Sequence, residues 1–185
     1  MKATLFTLLT IFYFSNSMAQ QYETQQFEVI KTIGEAEIRF YPSVMKIKAN
    51  RSNGFGSLFG YISGKNVKGQ KIAMTTPVYM QEDEGKKVME FVLPRELDLQ
   101  STPNALSDKV EVYESKSGYF IAYPFGGYAV DWISNRAIKA LKEIINSNEV
   151  NIEGDPILLV YNSPYKVINR KNEILFKVNY DSNIN

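Results

Sequence analysis

Residues 58–80 read LFGYISGKNVKGQKIAMTTPVYM, a string dense with choices that amphipathic packing alone does not require. The first part is aromatic and turn-rich, with Phe59, Gly60, Tyr61 and Gly64. The second, from Ile72 to Tyr79, is strand-like and passes through Thr75, Thr76 and Pro77. A proline cannot donate to a ladder, so an edge, a bulge or a bend is predicted there. Taken bare, the string is an apolar helix feeding a core strand.

Outward from that stretch, the order of elements repeats. The first half predicts strands at 27–33 and 37–41, a short helix at 53–63, then strands at 71–81 and 87–93. The second half predicts strands at 109–114 and 119–123, a helix at 131–146, then strands at 156–161 and 173–178. In both halves the second strand ends in Tyr-Pro, at Tyr41-Pro42 and Tyr123-Pro124. The acidic run Glu82, Asp83 and Glu84, followed by Gly85, reads as a solvated hairpin loop. The pattern predicts an α+β fold: duplicated ββαββ units forming a distorted antiparallel eight-stranded β-barrel or sheet flanked by two helices.

In the second helix Val130, Ile133, Ala137, Leu141 and Ile144 recur at helical spacing, Asp131 is placed to cap the start, and Lys139 and Lys142 take the other face. Trp132, beside the cap, reads as a packing residue. The first helix is less orthodox, because NGFGSLFGYISG contains four glycines, each costing about 1 kcal/mol against alanine in a helix interior. Packing or function must hold it. Phe55, Leu58, Phe59 and Ile62 fall at i, i+3, i+4 and i+7 and form one apolar stripe. That stripe either covers the sheet or stays partly open; if open, with Met45 and Met74 nearby in the sheet, it lines a wall suited to a flat apolar ligand.

The first 19 residues have the form of an export signal: a positive start at Met1 and Lys2, an apolar run at 3–14, and Ser17, Met18 and Ala19 as a small-x-small cleavage site before Gln20. Cleavage near Ala19 leaves one domain at 20–185, expected to be secreted or periplasmic. The apolar run is too short to span a bilayer as a helix, so no membrane span is expected in the mature chain. Losing Lys2 takes the 21 basic residues to 20 against 20 acidic ones. A balanced charge gives no electrostatic case for nucleic acid.

The chain has neither histidine nor cysteine. Zinc sites of the usual donors and Ser-His or Cys-His catalysis are therefore excluded within it, and no carboxylate pair stands out as a catalytic constellation. Gly54, Gly56 and Gly60 do not follow the G-x-G-x-x-G spacing of a phosphate-cradling loop.

Residues 58–80 resemble a signature of the SOUL/haem-binding-protein family. Residues 59–64 match its FGYISG-like helix end and 71–78 match its K-I-A-M-T-x-P-V strand. Three further segments match in order: MEFVLP at 89–94, STPNALSDKVEVYE at 101–114 and YNSPYKVINRKNEILFKV at 161–178. The resemblance covers residues 25–180. It implies a non-catalytic carrier or scavenger that holds haem or another tetrapyrrole in an apolar groove beside the first helix.

Carried over by position, Phe59 and Lys166 contribute to that groove, with Arg51 as the basic residue at the helix start and Phe55, Leu58, Ile62, Met45 and Met74 as its walls. Gly56 and Ser57 stand where relatives often carry charges. Haem iron takes histidine, cysteine, methionine or tyrosine, and only the last two occur here. Reversible, weakly ligated binding is the expectation. The same duplicated fold also resembles gyrase-inhibitor-like effector-binding domains for other small apolar ligands, some of them hydrolytic, in which case Glu35, Glu37 or Glu173 would supply buried acids. A protein-interaction module using the exposed first-helix stripe is the third reading.

Overall fold

The computed structural model describes residues 22–180; the export signal predicted at 1–19 lies outside the described residues. Along the chain run β1 (Glu23–Thr24), β2 (Glu28–Ile33), β3 (Ala36–Tyr41), β4 (Met45–Asn50), α1 (Gly54–Ile62), β5 (Thr75–Thr76), β6 (Val78–Asp83), β7 (Lys86–Val92), β8 (Glu111–Glu114), β9 (Gly118–Phe125), α2 (Asp131–Ser147), β10 (Ile152–Val160) and β11 (Asn172–Val178). Nine strands form one antiparallel sheet in the order β2-β3-β9-β11-β10-β6-β7-β4-β8. β1 and β5 make a separate parallel pair. The α+β class is as predicted. Of the predicted barrel or sheet, the structure shows a sheet: among the described residues no ladder joins the end strands β2 and β8, and the strands number nine rather than eight.

The element order does repeat, but its frame differs from the sequence reading. The repeated units are β3-β4-α1-β6-β7 and β8-β9-α2-β10-β11, related about the central β10–β6 ladder where Leu159 stands opposite Tyr79. Flanking that pair, Glu173 stands opposite Leu159 and Glu90 opposite Tyr79. The strand that precedes α1 is β4, which the sequence reading missed, and β2 is an addition outside the repeat. Consequently Tyr41-Pro42 closes β3 whereas Tyr123-Pro124 lies inside β9. The two dipeptides are not equivalent.

Each unit sends its first strand to the other. β3 runs directly into β4 yet pairs with β9, and β8 runs into β9 yet pairs with β4. The two crossing connections are tied together, Ser115 N donating to Val44 O at 2.9 Å and Val44 N to Ser115 Oγ at 3.1 Å.

Alternation sorts the side chains into layers. Met45 and Ile47 of β4 and Met89 and Phe91 of β7 face α1, burying Leu58, Tyr61 and Ile62. Ile38, Ile121, Ile174 and Phe176 face α2, burying Ala137, Leu141 and Ile145. The opposite face carries its own cluster, Tyr41, Tyr79, Val92, Ala122, Leu159 and Leu175, with no helix over it among the described residues. Pro77 splits the strand predicted at 71–81: β5 ends before it, β6 begins after it, the Thr76-Pro77 bond is cis, and 71–74 is not strand. Glu84 and Gly85, both at positive φ, make the two-residue turn between β6 and β7. Glu82 and Asp83 belong to the strand before it.

Candidate functional site

α1 forms against its own composition. It has no side-chain cap, no acid in its first turn and no base in its last. Burial of Leu58, Tyr61 and Ile62 on β4 and β7 holds it, and Tyr61 Oη donates to Pro103 O at 2.5 Å. Gly54 permits the close approach to the sheet, since a Cβ there would meet Met89 Cβ at 3.1 Å. The predicted apolar stripe therefore divides. Leu58 and Ile62 are core, as is Met45 beneath them, and Met74 is half-buried against the same cluster. These four support the surface from below; burial leaves Met45, Leu58 and Ile62 no face to offer a ligand.

Phe55 and Phe59 are the outward part. They are 51% and 49% exposed, with ring centroids 5.8 Å apart and planes within 9°. Phe91 props Phe55 edge-on at 5.6 Å. Beside the pair, Gly56 opens onto free space, and the stem of Lys65 crosses Gly60, where a Cβ would come within 3.3 Å of Lys65 Cδ. Arg51 is exposed in the turn that enters the helix. The result is a stacked, outward-facing aromatic pair with one base before the helix and one just after it. Lys65 was not singled out from the sequence, although it directly follows the FGYISG element. Lys166 sits elsewhere, in the β10–β11 loop of the other unit; among the described residues no hydrogen bond or ion pair joins it to α1.

The helix-free face offers a second candidate. The bend of the sheet encloses a cleft of about 340 Å³ that reaches Tyr41, Lys46, Tyr79, Glu90, Phe120 and Leu175. Lys46 Nζ lies 3.1 Å from Glu90 Oε2 and 3.4 Å from the centre of the Tyr79 ring. Burial lowers the Lys46 pKa, and the Glu90 carboxylate only partly offsets it. Burial likewise pushes the Tyr79 phenol well above its ordinary value, with Tyr41 and Glu90 adding to the effect. Tyr79 Oη bonds Gln25 Oε1 at 2.6 Å.

Glu173, on the same face, is saturated. Arg39 holds it with two bonds, Nη1 to Oε2 at 3.0 Å and Nη2 to Oε1 at 3.2 Å, and Tyr161 Oη donates at 2.6 Å. Burial opposes ionisation, but these bonds outweigh it and keep the Glu173 carboxyl below its ordinary range. Glu37 accepts from Arg39 Nε at 2.7 Å, and Glu35 lies at the surface, accepting from Tyr123 Oη at 3.3 Å. The three acids proposed for a hydrolytic site thus stand as two partners of one arginine and one surface carboxylate. Among the described residues no three acidic side chains cluster as a metal site.

The family model described as SOUL heme-binding protein matches residues 22–177. Among solved structures, the C-terminal domain of EcmrR aligns at 12% identity and TM-score 0.52, covering 79% of this chain and 98% of that one. A hydrolase from Listeria innocua aligns at 9% identity and TM-score 0.56, covering 78% and 91%. At such identities these likenesses show a shared fold. Comparison with the curated proteins gives no match.

Proposed function

The chain belongs to the SOUL heme-binding protein family, and on that premise we propose that it binds tetrapyrroles reversibly and without catalysis, as an exported carrier or scavenger, on the Phe55–Phe59 platform of α1. The observation that carries this reading is the parallel pair of half-exposed rings beside Gly56 and Gly60. Contiguous exposed apolar surface is what ligand-binding grooves present, and the two rings adjoin. A porphyrin plane stacks on the outer face of the pair, and Lys65 and Arg51 supply cations for its carboxylates. Phe55, Phe59, Gly56 and Gly60 offer iron no ligand. Recognition is of the ring, with the metal incidental.

Covering the exposed half of one phenylalanine contributes about 1 kcal/mol, and face-to-face aromatic contact about 0.5–1.5 kcal/mol more. Removing one ring therefore weakens binding roughly tenfold to sixtyfold. Titration with haemin and with metal-free protoporphyrin tests the reading: both should saturate at micromolar concentration, and Phe59→Asp should weaken both by that factor. Failure to saturate below about 50 μM, or a preference for haemin above about 100-fold, overturns it.

The cleft on the helix-free face favours a second reading, a small ligand held inside the bent sheet as in an effector-binding domain. Its volume lies at the lower end of ordinary ligand sites. Narrowing it with Ile157→Trp separates the two: porphyrin binding that survives this change and fails with Phe59→Asp belongs to α1.

A further inference from the structure

Six large apolar side chains that the tetrapyrrole reading leaves unused gather at one rim of the sheet. Tyr165, Val167 and Ile168 in the β10–β11 loop are 90%, 70% and 73% exposed. Trp132 on the first turn of α2 is 64% exposed, and Tyr128 and Val130 just before it are also exposed. Trp132 is therefore not the packing residue predicted from sequence. Val130, with extended backbone, takes the cap position and makes no side-chain cap bond.

The two segments are fastened to each other. Asn172 Nδ2 donates to Gly127 O at 2.9 Å, and the Arg170 guanidinium lies 4.4 Å from the centre of the Tyr128 ring. Arg170 Nη1 also ties the loop from within, donating to Ser163 O at 2.8 Å and Lys166 O at 2.6 Å. Exposed loop tips are ordinarily polar. Pinned to the start of α2, the exposed Tyr, Val and Ile join Trp132 in one apolar surface of the kind that marks an interaction site.

We propose that this rim docks on an anionic lipid bilayer. The chemistry matches layer by layer: Trp132, Tyr128 and Tyr165 suit the interfacial zone, Val167 and Ile168 the acyl boundary just below it, and Lys166 and Arg136 the phosphates. Charge agrees. Residues 163–171 hold no acid; Arg170 is buried within the loop and Lys171 is paired with Glu173, which leaves Lys166 as the exposed cation there, joined by Arg136 four residues after Trp132, against the single acid Asp131 in 126–136. A protein partner is the weaker fit, because standard interfaces engage about 20–30 residues a side and this one is two protruding loop tips. The N-terminal run at 1–19 is not required for it.

Trp132 is the only tryptophan, so its fluorescence reports on this rim alone. With vesicles of phosphatidylcholine carrying about one quarter phosphatidylglycerol, its emission should shift to the blue and be quenched by brominated acyl chains. Val167→Asp with Ile168→Asp should lower the partition coefficient at least about tenfold, leaving the circular dichroism spectrum and the porphyrin affinity unchanged. Sedimentation with vesicles gives the same readout for Trp132→Phe. No blue shift, or a shift that persists undiminished in the double variant, overturns the proposal. So does a self-association, measured by analytical ultracentrifugation, that the double variant abolishes while vesicles bind neither form.

Discussion

Replacing Glu173 by glutamine is the sharpest probe of how the helix-free face is held. The carboxylate is almost wholly buried and accepts two bonds from Arg39 and one from Tyr161, with Lys171 Nζ at 3.4 Å. An amide keeps one acceptor oxygen and turns an NH2 donor toward these donors. Arg39 then retains Glu37, at 2.7 Å and partly solvated. Breaking a buried pair from one side costs about 3–5 kcal/mol, which for a chain of this size is a fall in Tm on the order of 10 °C. Urea unfolding followed by circular dichroism at neutral pH measures it. Arg39→Met with Glu173→Leu removes both charges, so it should cost well under the sum of its single changes. The acid side adds a second arm. Because the folded-state pKa of Glu173 lies below its ordinary 4.5, the stability it lends is complete above that pH and is lost as pH falls through the lowered value. The double variant should lose less stability than the parent over that interval. A cost of Glu173→Gln below about 0.5 kcal/mol, or additivity in the double variant, refutes the reasoning.

The glycines of α1 should part company: Gly56→Ala, into open space, gains up to about 1 kcal/mol of helix propensity, whereas Gly54→Ala presses on Met89 and destabilises, both read by urea midpoint. Tyr61→Phe leaves the Pro103 carbonyl without its donor and should cost about 1–2 kcal/mol in the same assay. Burial raises the Tyr41 phenol to about 12, with Arg39 partly opposing the shift. The stability linked to Tyr41 is therefore present below the ordinary 10.0 and lost as pH rises toward about 12; its tyrosinate absorbance should appear in that upper window, and growth of the full signal at 10 in the folded protein would count against it.

Periodicity exposed the two helices almost to the residue, and the apolar runs exposed most strands, because those segments face one layer and ignore the rest. The segment MKIKAN was passed over although Met45, Ile47 and Ala49 alternate with Lys46 and Lys48. The alternation is that of a strand, and its Lys46 is buried against Glu90 and Tyr79 on the cleft side. Missing that strand shifted the repeat frame by one element and made the two Tyr-Pro pairs look equivalent. At the candidate site the stripe Phe55, Leu58, Phe59 and Ile62 was legible, but a periodic stripe cannot say which of its edges the sheet covers. Register on β4 and β7 decides that, and it turns Leu58 and Ile62 inward. Lys166 was placed with α1 by motif position alone. Loop geometry puts it in the other unit, beside the apolar rim.

The exchange of β3 and β8 makes each half the template for the other. A fragment ending before β8 would leave β4 without its outer neighbour and carry β3 with no β9 to receive it; the complementary fragment has the mirror-image lack. Neither should fold alone, and the two mixed should complement one another. The arm exchange within one chain reproduces the geometry of a domain-swapped dimer, in which an identical element is traded between two copies.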